Sequence, residues 1–93
     1  MSYAVVFIEA AEKDLDRLVP DMRRRVLVAL SSLEENPRPS GIVAIKSAPP
    51  GHYRLRLQNI RVGYQVDDKT RTVTVWQIGD RKRFYDQAKR RRT

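Results

Sequence analysis

Along the first third of the chain the apolar positions change period twice. Tyr3, Val5 and Phe7 alternate with Ala4, Val6 and Ile8, so residues 3–8 form a short apolar run that predicts a strand buried on one or both faces. From Glu9 the period becomes helical, with acidic residues in the first turn, where the helix dipole favours them, and Ala11, Leu15 and Leu18 on one side. This helix is expected to end at Val19. Pro20 suits the first turn of a second helix, in which Met22, Val26, Ala29 or Leu30, and Leu33 recur at helical spacing before Asn36, Pro37 and Pro39 stop it. The product is an αα-hairpin with an apolar face that needs a sheet to cover.

Residues 37–52 carry four prolines and two glycines and read as a loop, with Ile42 to Ile45 packing locally. The remainder predicts strands near 53–58, 60–67 and 71–79, joined by a tight Gln58-Asn59 turn and an Asp67-Asp68-Lys69-Thr70 turn. Asn59 is the turn residue that tolerates positive φ, and Gln58 is a poor match for it. In the last strand Val73 and Val75 are expected on one face and Trp76 and Ile78 on the other, and its apolar character predicts a central position. The order of elements predicts an α+β fold: an N-terminal strand, an αα-hairpin, then a three-stranded antiparallel meander in one sheet. At 93 residues the expectation is a single domain spanning residues 1–93.

Charge sharpens this outline. Residues 1–50 carry seven Lys/Arg and seven Asp/Glu, whereas residues 51–93 carry twelve and four, so the whole net charge of +8 falls in the second half. A one-sided basic field points to a polyanion: nucleic acid first, with acidic lipid or an acidic protein meeting the same charge. The chain has no cysteine and one histidine, and its acidic residues are scattered, so no thiolate metal site, disulfide or Ser-His-Asp set is assembled. No cofactor and no metal are expected. The apolar runs are short and interrupted by charge, which predicts no membrane span or signal peptide and a cytoplasmic location.

A two-residue turn at Gln58-Asn59 sets Leu57 opposite Ile60, Arg56 opposite Arg61, Leu55 opposite Val62, Arg54 opposite Gly63 and Tyr53 opposite Tyr64. The pairing sorts the hairpin by chemistry: Leu57, Ile60, Leu55, Val62, Tyr53 and Tyr64 share a core face, while Arg54, Arg56, Arg61, Gly63 and Gln65 share the other. Two arginines directly opposed repel by a few tenths to about one kcal/mol, so an anion is expected on that face. Arg54 and Arg56 stand roughly 6.5–7 Å apart, close to the spacing of neighbouring phosphates. Gly63 is expected to leave an open floor for a backbone or base. A solvated arginine surface accounts for each residue singly but not for their clustering with no acidic neighbour.

After the last strand, Gly79-Asp80-Arg81-Lys82-Arg83-Phe84-Tyr85 is expected to emerge beside the hairpin. The arginines suit phosphate oxygens, and a tyrosine ring stacks on a base or passes a proton. The bland reading of the same segment is a basic cap with Phe84 or Tyr85 packed in the core. His52, after Gly51, reads as a plain turn residue.

Taken together, Tyr53-Arg54-Leu55-Arg56-Leu57, Arg61-Val62-Gly63-Tyr64-Gln65-Val66 and Ile78-Gly79-Asp80-Arg81-Lys82-Arg83-Phe84-Tyr85 resemble the RelE branch of the RelE/ParE toxin superfamily, in this order, over nearly the whole chain. That resemblance implies a microbial-RNase-like fold and a toxin–antitoxin pair. It further implies metal-independent cleavage of mRNA in the ribosomal A site, so that mRNA, the ribosome with its rRNA, and a cognate antitoxin are the partners. The family's functional positions fall on Arg54, Arg56, Arg61, Arg81 and Tyr85, with Lys82 and Arg83 as further RNA contacts. The hairpin pair is often lysine in the family, whereas here both are arginine, a poor general base. Two alternatives stand beside the nuclease: a ParE-like toxin that poisons DNA gyrase on the same scaffold, and an RNA-binding module without chemistry.

Overall fold

The computed structural model describes residues 2–80 of the chain. In chain order the elements are β1 (Ala4–Phe7), α1 (Glu9–Arg17), α2 (Pro20–Ser32), β2 (Val43–Ala44), β3 (His52–Leu57), β4 (Ile60–Asp67) and β5 (Thr72–Asp80). They form one five-stranded sheet in the order β1-β5-β4-β3-β2. β1 runs parallel to β5 and the other neighbours are antiparallel. The α+β arrangement read from the sequence is therefore present, and β5 is central. One element was not foreseen: Val43 and Ala44, inside the segment read as a loop, pair with Arg54 and Tyr53 and extend the sheet.

The helices break where proline requires it. α1 ends at Arg17, short of the expected Val19: Leu18 is already extended (ψ 147°), and Val19 (ψ 150°) is held extended because Pro20 disfavours helical geometry in the residue before it. The carbonyls exposed at that break are held by Arg23, whose guanidinium donates to Leu18 O at 3.0 Å and Asp16 O at 3.2 Å. Ala11, Val26, Leu30 and Leu33 are buried against Ile60, Val62, Tyr64, Val66, Val73, Val75 and Ile78. All lie in one layer between helices and sheet.

Beneath this core, Tyr64 is fully buried and donates from its hydroxyl to Pro37 O at 2.9 Å, anchoring the loop that follows α2. Burial pushes its phenol up to about 12. A phenol whose pKa is raised on folding favours the native state only while protonated. Stability is therefore expected to hold up to about pH 10, the ordinary tyrosine value, and to fall as pH passes from there toward 12. Denaturant titrations at pH 9 and 11 should show the loss in the native chain and a smaller one in Tyr64→Phe; equal losses would contradict this assignment.

The same loop is strapped at its surface. Arg38 forks onto Asp68 at 2.9 and 3.1 Å and donates from Nε to Tyr53 Oη at 3.0 Å, while Tyr3 Oη donates to Asp68 at 2.6 Å. Arg38 first, and Tyr3 second, hold the Asp68 carboxyl below its usual range. Loop, β4–β5 turn and β1 are thereby tied together at one end of the sheet.

Candidate nucleic-acid interface

The hairpin β3–β4 forms in the register expected from the sequence, with Arg56 opposite Arg61, Arg54 opposite Gly63 and Leu57 opposite Ile60. The turn differs in detail. Gln58, not Asn59, takes the left-handed backbone (φ 54°), the pattern of a turn that prefers glycine at its first central position. Its carbonyl accepts from Arg56 Nε at 3.1 Å. Since that bond uses backbone, Gln58→Gly should keep it while relieving the positive φ, raising stability by about 0.5–1 kcal/mol, or a few degrees in Tm. A fall in Tm would show that the glutamine side chain matters to the turn.

On the side away from the helices, the arginines occupy two rungs. One contains Arg56, Arg61 and Gly79; the next contains Val43, Arg54, Gly63 and Gln77. Neither rung holds an acidic residue. Gln77 and Gly79 reach this face because the β4–β5 register shifts between Gly63 and Tyr64: Gly63 pairs with Gln77 but Tyr64 pairs with Val75, so Trp76 is the extra residue of β5 at the shift. That β-bulge reverses the alternation of the strand. Ile78 therefore joins Val73 and Val75 in the helix-side core, correcting the expectation that it would share a face with Trp76. Trp76 packs instead with Ile8 and Ile45 on the opposite side.

A further correction concerns the floor of the face. Gly63 was expected to be open, yet Gly63, Arg61, Gln77 and Gly79 are all buried, while Arg54 is half-buried and Arg56 exposed. Arg61 retains only 8% of its surface, and its Nε–H has no hydrogen-bond partner among the described residues. Burying a guanidinium donor without an acceptor is unfavourable. Its position is that of a group built to meet an anion, because a phosphate oxygen supplies both the charge and the missing acceptor.

The end of β5 is positioned by a residue that sequence reasoning passed over. β1 pairs with β5 only as far as Phe7 opposite Val75, with Ile8 N donating to Val75 O at 3.0 Å. Beyond it, no strand among the described residues borders this edge of β5. Asp14 of α1, 4% exposed, takes over: its Oδ2 accepts from Ile78 N at 3.1 Å, and Oδ1 lies 3.5 Å from Arg17 Nη1. A signal was available, since Asp14 interrupts the stripe of Ala11, Leu15 and Leu18, and a carboxylate on an apolar face needs a donor. With Arg17, Leu18, Ile60, Ile78, Gly79 and Asp80 it lines a cavity of about 190 Å³ beside the Arg61 rung.

His52 also departs from its expected place. It opens β3 and does not sit in a turn, opposite Gln65 and on the same side of the strand as Arg54 and Arg56. Its ring meets Trp76 edge-on at 6.2 Å, and Nδ1 lies 3.0 Å from Pro49 O. Arg81, Lys82, Arg83, Phe84 and Tyr85, named from the sequence, lie outside the described residues. β5 ends at Asp80, paired with Ile60, one residue beyond the Arg61–Gly79 pair. Among the described residues no group of three or more His, Asp or Glu is placed to hold a metal, and no helix is long and apolar enough to cross a membrane.

The helical hairpin and the five-stranded mixed sheet match the fold of solved RelE toxins. The archaeal RelE of the RelE–RelB complex from Pyrococcus horikoshii is similar at 28% identity, over 89% of this chain and 99% of that one, with a TM-score of 0.77. The isolated Escherichia coli RelE toxin is similar at 28% identity over 97% and 98% (TM-score 0.76), and the intact E. coli RelBE toxin–antitoxin complex contains a chain 27% identical over 85% and 96% (TM-score 0.76). No curated protein matches the chain by sequence. The family model for the ParE toxin of type II toxin–antitoxin systems, parDE, matches residues 5–85. This chain belongs to that toxin family, within the RelE/ParE superfamily.

Proposed function

We propose that this toxin is a metal-independent endoribonuclease that cuts mRNA on the ribosome. The reading is supported most directly by the Arg56–Arg61 rung, in which a buried guanidinium, whose Nε–H has no acceptor among the described residues, lies beside a second arginine and Gly79. RNA brings its own nucleophile. The ribose 2′-oxygen attacks the adjacent phosphorus, its proton passes to a base, the bond to the 5′-oxygen breaks, and that oxygen takes up a proton, leaving a 2′,3′-cyclic phosphate. The protein has only to align these atoms and stabilise the charge that grows on the phosphate. Arg61 and Arg81 are assigned to the scissile phosphate, with Arg81 nearest the leaving oxygen. Arg54 and Arg56, with Lys82 and Arg83, hold the flanking backbone. Tyr85 stacks on a base or serves as the base. Arg81, Lys82, Arg83 and Tyr85 enter on sequence alone.

Incubation of the purified toxin with mRNA-programmed ribosomes in excess EDTA, with end-group analysis of the fragments, tests this reading. Cyclic phosphate ends are expected. Intact RNA, or cleavage that depends on added metal, would contradict it.

A cognate antitoxin is the proposed protein partner, supported by the RelB-bound state of similar RelE chains. A groove of about 180 Å³ between β1 and α2, lined by Val5, Phe7, Leu27, Leu30, Ser31 and Glu34, offers an apolar surface to such a segment. The gyrase-poisoning alternative is favoured by one observation, that the matching family model is the ParE toxin. The arginine face, suited to phosphate oxygens, is the observation that weighs toward RNA.

A further inference from the structure

We propose that the rung next to the arginines reads the identity of one RNA base, with His52 and Gln65 as its specificity-determining residues. The inference rests on the nuclease reading above and concerns the same face of the sheet.

Three polar side chains from three strands share this rung: His52 of β3, Gln65 of β4 and Thr74 of β5 stand side by side in register. Val6 of β1 extends the row at one end, opposite Thr74, and Ile45 lies at the other, its N–H donating to His52 O at 3.0 Å. The chemistry along the row is an apolar wall, a hydroxyl, a carboxamide, an imidazole and a second apolar wall. Phosphates need charge, and no lysine or arginine stands in this row. Its groups match instead the edge of a nucleobase, which offers donors and acceptors bounded by an apolar ring.

Exposure points the same way. The centre of the arginine rungs is buried, whereas Gln65 is exposed and His52 and Thr74 are half-buried, so a base laid on the sheet has access here. Beneath it, the buried Trp76 edge fixes the imidazole from the side. A carbonyl oxygen can only accept, so the 3.0 Å approach of His52 Nδ1 to Pro49 O places the proton of the neutral ring on Nδ1. Nε2 is then a defined acceptor. Gln65 opposite supplies both a donor and an acceptor. Such a pair suits a base that presents a donor and an acceptor side by side.

Position along the track fits as well. His52, Arg54 and Arg56 are successive same-face residues of one strand, each roughly 6.5–7 Å from the next, about one nucleotide step. An RNA strand held by Arg56 and Arg54 thus brings its next base over His52 and Gln65.

The test is cleavage of a pool of RNAs randomised around one site, read by sequencing, for the native toxin, Gln65→Ala and His52→Ala. Because His52→Ala also releases the Pro49 loop, Gln65→Ala, whose side chain is exposed, serves as the second variant. The native toxin is expected to prefer one base at a single position, and each variant to reduce that preference about tenfold, the discrimination carried by one good base-edge contact. Unchanged preference in both variants, or a loss shared equally by all four bases, overturns the subsite while leaving the nuclease reading intact. Variants that keep the preference but weaken antitoxin binding overturn it too, moving the row to the protein interface. If the native toxin neither cuts nor binds the RNA pool, the nuclease reading falls and the subsite with it.

Discussion

Arg61→Ala is expected to lower kcat/KM for RNA cleavage by about 100- to 1000-fold, the usual loss when one preorganised donor to a developing anion is removed. The size follows from the environment. A guanidinium that keeps 8% of its surface acts with little water to screen it, and among the described residues its Nε–H makes no bond that substrate would have to break. Arg61→Lys should fall between the two, keeping charge but losing the planar fork. Stability is expected to move the other way. A buried arginine donor with no acceptor among the described residues opposes folding, so Arg61→Ala should leave Tm unchanged or raise it, as sites that sacrifice stability for function commonly do. A variant that loses activity together with several degrees of Tm would mean that Arg61 is structural.

The second large effect is on stability. Asp14→Ala removes the carboxylate that accepts from Ile78 N and leaves that backbone donor buried without a partner. Hydrogen bonds to charged groups contribute about 1.5–3 kcal/mol, so a loss of about 2–3 kcal/mol and roughly 10–20 °C in Tm is expected. Asp14→Asn keeps an acceptor oxygen and should lose less. Amide exchange gives the sharper reading, since Ile78 should lose protection in Asp14→Ala while Val73 and Val75 keep theirs. A change in Tm below about 2 °C would show that another group satisfies Ile78.

Much of the fold was legible because each element obeyed one period. The helical spacing of Met22, Val26, Leu30 and Leu33 gave α2, and alternation about a two-residue turn gave the pairs of the β3–β4 hairpin from Leu57–Ile60 to Tyr53–Tyr64. What escaped were features that no local pattern encodes. The bulge at Trp76 depends on how β5 fits β4, and it alone decides that Ile78 faces the helices and that Gln77 and Gly79 face the arginines. The pairing of Val43 and Ala44 with β3 is a two-residue contact between distant segments. His52 was read as a turn residue from its neighbour Gly51; strand membership came from its pairing with Gln65, across the hairpin.

The arginine site was legible for a related reason. Arg54, Arg56 and Arg61 stand in one hairpin, so their mutual placement needed only the turn and the alternation. Its electrostatic character was not. Burial of Arg61 and Gly63 is a tertiary property that the alternation of one hairpin does not encode, and it turns an expected open basic surface into a partly enclosed one. That change strengthens the case for a specific phosphate contact over general basicity, because screening by water and salt is weaker there.

The central claim is that this toxin acts by cutting mRNA during translation. Its most direct test is to induce the native toxin and Arg61→Ala in growing cells and map mRNA 5′ ends. New ends inside translated codons, at a fixed position in the reading frame and missing from the Arg61→Ala cells, are the predicted result. Intact mRNA with arrested replication and gyrase trapped on DNA would contradict it and place the chain among the gyrase poisons of its family.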